Sequence, residues 1–163
     1  MKLYRVAPKK YAADLSGEGA RLAGGRWNPR GAPVIYTAEQ AALALLETIP
    51  SFDLSSSLPP DIQLVTIEIP DGVSIFELPE KELPPDWKAF PYKLSTVRIG
   101  QKWIVEGKAA VLKVPSVMVP CGLGWNLLFN PLHPELYSRM SATLQDWEMD
   151  NRIAVKLNKR ERL

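Results

Sequence analysis

The chain has 163 residues, 46% hydrophobic and 23% charged, which suits a single globular domain large enough to enclose a core and a pocket. Its net charge of +2 falls short of the clustered basic face that nucleic-acid binding needs. One cysteine (Cys121) and one histidine (His133) exclude an intrachain disulfide and a structural zinc site, and any histidine relay has to run through His133.

The N-terminal segment lacks the apolar run of a signal peptide. No stretch approaches the ~18 apolar residues of a membrane span. A cytoplasmic protein with no membrane contact is the expectation. No internal repeat is evident. Fifteen prolines favour short strands joined by rigid turns over long helices.

In chain order, Lys2–Val6 is the first predicted strand. It carries Arg5, which is either an outer-face residue or a charge drawn into a buried strand. Gly24-Gly25-Arg26-Trp27-Asn28-Pro29 follows. Its two glycines allow close backbone approach and Arg26 offers a planar fork for phosphate, although glycine pairs also mark plain turns. Pro33–Tyr36 reads as a strand leading into a helix over 38–49. That helix has Thr37 and Gln40 as a capping box and Pro50 as its stop. Its body, Ala41-Ala42-Leu43-Ala44-Leu45-Leu46, is apolar all round, yet the last turn carries Glu47. The macrodipole disfavours a carboxylate there, so Glu47 faces solvent at a frayed end, is neutralised, or is paired with a cation.

Segment 51–60 reads as a loop. Ile62–Ile69 alternates, with Gln63, Val65, Ile67 and Ile69 pointing inward. Val73–Phe76 is a short strand and 78–85 a loop. Ser95–Glu106 is a second helix, stopped by Gly107. Ala109–Val114 and Trp125–Phe129 are strands, and a last strand falls near Ala142–Met149. Ser116, in Val114-Pro115-Ser116-Val117, is a hydroxyl that turn chemistry explains equally well. His133 reads as a turn residue between two prolines rather than a general base, and Cys121 as a small apolar filler. The basic run at 156–163 reads as a solvated tail following a domain at 1–155.

Taken together these segments resemble the RES domain. The matching pieces are Leu3-Tyr4-Arg5-Val6, Gly24 to Pro29, Pro33 to Ala38, Ala42 to Glu47, Val114-Pro115-Ser116, Asn126 to Pro131 and Trp147 to Arg152. The block from Gly24 to Glu47 is the specific part, and the C-terminal third matches more loosely. The resemblance implies an α/β (α+β) domain similar to the ADP-ribosyltransferase toxins, with a split, mostly antiparallel sheet around a cleft for NAD. It implies the toxin of a bacterial toxin–antitoxin pair that needs no cofactor and takes NAD as substrate. It also implies an Xre-like helix-turn-helix antitoxin that covers the active-site entrance in an oligomeric complex, DNA being reached only through that antitoxin. The implied activities are hydrolysis or phosphorolysis of NAD, or transfer of ADP-ribose to a protein. A non-catalytic binding module is the alternative from another class.

The resemblance casts Glu47, Arg26 and Ser116 as catalytic, and Arg5, Arg26, Tyr36 and Asn126 as substrate-binding. These residue types suit the reaction. Nicotinamide leaves as a neutral molecule, so no general acid is needed, unlike O-glycoside cleavage. Positive charge grows on the ribose, where a fixed anion such as Glu47 helps most in the transition state. Arg26 and Arg5 suit the pyrophosphate, the Tyr36 ring a base with its hydroxyl left for a polar contact, and Ser116 and Asn126 the ribose or amide.

Overall fold

In a computed structural model, residues 1–51, 61–119, 121–136, 139–148 and 150 are described. Strand β1 (Lys2–Pro8) leads into two short helices, α1 (Lys9–Ala12) and α2 (Glu18–Ala23). Then come β2 (Ile35–Ala38), α3 (Ala41–Thr48), β3 (Ile62–Glu68), β4 (Ile75–Glu77) and α4 (Leu94–Glu106). Strands β5 (Val111–Pro115), β6 (Trp125–Phe129) and β7 (Ser141–Trp147) complete the order. All the predicted strands form, and the fold is the expected mixed α/β arrangement with a mostly antiparallel sheet. The predicted tail at 156–163 and the end of the predicted last strand, Met149, lie outside the described residues.

The strands make one seven-stranded sheet in the order β4-β5-β6-β2-β1-β3-β7. Among the described residues only the β4–β5 pairing is parallel. Alternation builds its core. Val111 and Phe129 belong to the cluster that holds Leu3, Ile35, Val65 and Ile67. Their neighbours Leu112 and Leu128 belong to the opposite cluster with Trp27, Trp87 and Trp103. The inward set predicted for the 62–69 strand is buried, Val65 and Ile67 completely.

The sheet is nearly two sheets. Strands β1 and β3 run in register over seven pairs, from Lys2 with Glu68 to Pro8 with Ile62. Strands β1 and β2 meet at one pair, Tyr4 with Ala38. Helix α3 lies over this seam, with Leu43 and Ala44 packed on Val6 and Ala38. Where two strands part under a helix, backbone and side chains on both sides line a gap, and that gap positions the site.

Three local expectations are corrected. Thr37 does not cap α3. Strand β2 runs on to Ala38, Thr37 pairs with Leu127 in β6, and its hydroxyl donates to the Leu127 carbonyl at 2.6 Å. Gln40 is the extended N-cap of α3, without a side-chain bond, so the capping box is absent. Cys121 is exposed rather than packed as filler, at φ +61° in a turn. Helices α1 and α2, at four and six residues, escaped a reading tuned to longer periodicity. The stop at Gly107 is as expected: it adopts φ +56° and its N–H returns to the Trp103 carbonyl.

Candidate active site

Glu47, in the last turn of α3, is half-buried. It answers the anomaly read in the sequence by accepting hydrogen bonds instead of facing water. The Ser116 hydroxyl donates to Glu47 Oε1 at 2.6 Å, and Asn126 Nδ2 donates to the same oxygen at 2.6 Å. Ser116 follows β5 and is 2% exposed. Its backbone N–H is held by the Gly124 carbonyl, and its Oγ accepts the Met118 N–H at 2.9 Å. With one acceptor role filled, the hydroxyl proton is directed at Glu47. Among the described residues both bonds to Glu47 fall on Oε1.

Two neighbouring recesses share Glu47, Tyr36 and Asn126 in their walls. One, of about 320 Å³, opens at the seam and also takes in Tyr4, Arg5 and Thr48. The other, about 60 Å³, adds Arg26, Trp27 and Pro115. A larger cavity of about 600 Å³ lies between β4 and α4, around Phe76, Ile99 and Trp103, and holds none of the candidate residues. The seam cleft is taken as the site because its polar groups converge.

Arg26 and Glu47 interact electrostatically across the smaller recess. Burial lowers the Arg26 pKa, and the Glu47 charge opposes that shift. Arg26 Nη1 donates to the Trp87 and Ala89 carbonyls, which ties its far end to the segment before α4. Arg5 shares the cleft wall, but its guanidinium turns to the α1–α2 connection, where Nη1 donates to the Asp14 carbonyl at 2.8 Å. Burial lowers its pKa too, with the Asp14 charge opposing. The structure therefore brings Arg26, Glu47, Ser116, Asn126 and Tyr36 together, with Arg5 beside them and committed elsewhere by one nitrogen.

Tyr36 corrects a detail. Its ring lines both recesses, but its hydroxyl is not left for a ligand. It donates to Asn28 Oδ1 at 2.7 Å and accepts the Trp27 N–H at 3.1 Å. Burial of the phenol, the largest cause, raises its pKa. His133 stays out of the site, as its turn context implied. It is 7% exposed, with Nε2 3.0 Å from the Gly107 carbonyl and Nδ1 accepting the Glu135 N–H. Asn28, Trp87 and Ala89 went unread in the sequence. Asn28 stood inside the glycine–arginine block, but the partners of the other two lie 61 and 63 residues away.

The RES domain family matches residues 2–151. This chain belongs to that family. The RES-domain chain is 40% identical over 147 residues, 89% of each chain, to a protein of Sphingobium sp. (strain YBL2) named Prs ADP-ribosylating toxin. It is 37% identical over 143 residues to Toxin Res of Yersinia enterocolitica, covering 87% of this chain and 91% of that one. Toxin Res of Pseudomonas putida is 36% identical over 154 residues, covering 94% and 99%. The RES fold is also that of a chain in the crystal structure of the M. tuberculosis MbcT-MbcA toxin–antitoxin complex. That chain superposes with a TM-score of 0.70 at 22% identity, over 96% of this chain and 88% of that one.

Proposed function

We propose that this RES-domain protein is a toxin that consumes NAD by cleaving the nicotinamide–ribose bond, as a glycohydrolase or phosphorylase. The observation that carries the proposal is the convergence of Ser116 and Asn126 on one oxygen of Glu47 inside a cleft that also holds Arg26. The two donors fix the carboxylate's orientation before substrate arrives. The group then stabilises positive charge developing on the ribose without reorganising, which is where electrostatic catalysis gains most. Arg26 takes the pyrophosphate, with Arg5 joining from the seam by its remaining nitrogens. Tyr36 presents its ring to a base while its hydroxyl stays structural. Water or phosphate enters at the anomeric carbon as neutral nicotinamide departs.

A second reading transfers ADP-ribose to a protein acceptor in the same cleft. It is favoured by the 40% identical relative named an ADP-ribosylating toxin. For partners we propose an Xre-like antitoxin that covers the cleft in an oligomeric complex. Support comes from the toxin–antitoxin complex that shares the fold. Incubating the purified protein with NAD, with and without phosphate, and identifying the ADP-ribose product separates the chemistries. Free ADP-ribose indicates hydrolysis, its 1-phosphate phosphorolysis, and a modified polypeptide only in the presence of acceptor indicates transfer. No nicotinamide release under any of the three conditions contradicts the proposal.

A further inference from the structure

We propose that Asn28 is a positioning residue that sets the location of Arg26; this rests on the reading of Arg26 as a substrate contact. Asn28 is 1% exposed and its side chain is fully engaged. Nδ2 lies against the carbonyls of Ala20, Pro29 and Ala32 at 2.9, 3.1 and 3.0 Å, and Oδ1 accepts the Tyr36 hydroxyl at 2.7 Å. Three carbonyls around one nitrogen demand a donor, so a carboxylate cannot replace this amide.

The bonds bracket Arg26. On one side the Gly25 N–H donates to the Asn28 carbonyl at 2.9 Å. On the other the Trp27 N–H donates to Tyr36 Oη, itself oriented by Asn28. A side chain at Gly25 would push this pair apart, because a Cβ there would lie 2.5 Å from Tyr36 Oη and 2.8 Å from Asn28 Oδ1. The backbone of Arg26 is thus pinned on both flanks, and its guanidinium is held by the Trp87 and Ala89 carbonyls. Asn28 lines neither seam recess; it reaches the chemistry through Arg26, whereas the Tyr36 ring is placed by strand β2.

The test uses Asn28→Ser and Tyr36→Phe in the full chain, alone and combined with Arg26→Lys. Tyr36→Phe keeps the ring and removes the hydroxyl link, and it carries the test should Asn28→Ser not fold. A displacement of about 1 Å costs on the order of a hundredfold in rate, so each single variant is expected to lose about tenfold to a hundredfold in kcat/KM for nicotinamide release. In the Arg26→Lys background either change should add less than about twofold, because the route through Arg26 is already broken. Full multiplicative losses in that background, or unchanged kcat/KM in both single variants, overturn the proposal. Hydrogen exchange of the Trp27 amide gives a readout without substrate. If the parent releases no nicotinamide, the functional reading falls by itself. The positioning claim is then decided by whether Trp27 protection collapses in both variants, as expected, or persists, which overturns it.

Discussion

Ser116 and Asn126 spend their donors on the same carboxylate oxygen, so each constrains Glu47 without duplicating the other. Removing Ser116 Oγ leaves Asn126 to hold Glu47 alone and strands the Met118 N–H. A hydrogen bond to a charged group is worth about 1.5–3 kcal/mol, so Ser116→Ala should lower the rate of nicotinamide release about tenfold to a hundredfold, less than loss of the carboxylate itself. Release measured on matched, folded proteins checks this; a Ser116→Ala protein as fast as its parent would remove the serine from the site. Glu47 was legible in the sequence because a lone carboxylate in an apolar helix needs an explanation. Ser116 and Asn126 were named through the family resemblance alone, and their bonding to Glu47 was not legible, since they lie 69 and 79 residues further along the chain.

At the scale of elements, α4 lies so close to the arginine turn that Gly100 has no room for a side chain. A Cβ there would sit 1.7 Å from the Trp27 carbonyl oxygen. Gly100→Ala must push helix and turn apart, at an overpacking cost of about 1–3 kcal/mol. Thermal unfolding should show a Tm about 2–12 °C lower. An unchanged Tm would mean that the contact relaxes freely.

A second set of elements meets at Ser74, whose N–H and Oγ both donate to Glu135 at 2.7 and 2.8 Å. These bonds hold the Glu135 carboxyl below its usual range. A depressed carboxylate contributes stability that is present above its unfolded value of about 4.3 and is lost as pH falls through the folded one. Glu135→Gln should therefore lower Tm at neutral pH, where the carboxylate's contribution is present, and flatten the acid limb so that the two proteins converge well below about pH 4.3; an acid limb identical to the parent's would assign the loss to other carboxylates.

The strands were legible as short apolar runs bounded by turn residues, with clear period-two alternation in Ile62–Ile69. The start of α3 was misread because Thr37 has the chemistry of a cap, while a non-local pairing with β6 claimed it for the sheet.

On the scale of the whole molecule, the seam between β1 and β2 converts a continuous sheet into two halves, and α3 carries the carboxylate across it. Substrate bound in the seam touches both halves, so it should stabilise the whole domain. Ligand at about a hundredfold its Kd adds about 2.7 kcal/mol. For the Glu47→Gln protein, which spares its substrate, NAD should raise Tm by about 5–11 °C, and Arg26→Ala should abolish the shift. A shift that persists without Arg26 would place the dinucleotide elsewhere.

On the proposed function, a negative charge at position 47, and not merely a side chain of its shape, is what drives departure of nicotinamide. Glu47→Gln keeps an oxygen for Ser116 and Asn126 and removes the charge. Nicotinamide release from saturating NAD is therefore compared between parent and Glu47→Gln proteins. The expected result is a fall on the order of 10²–10³ in kcat with NAD still bound, whereas equal kcat in the two proteins would contradict it.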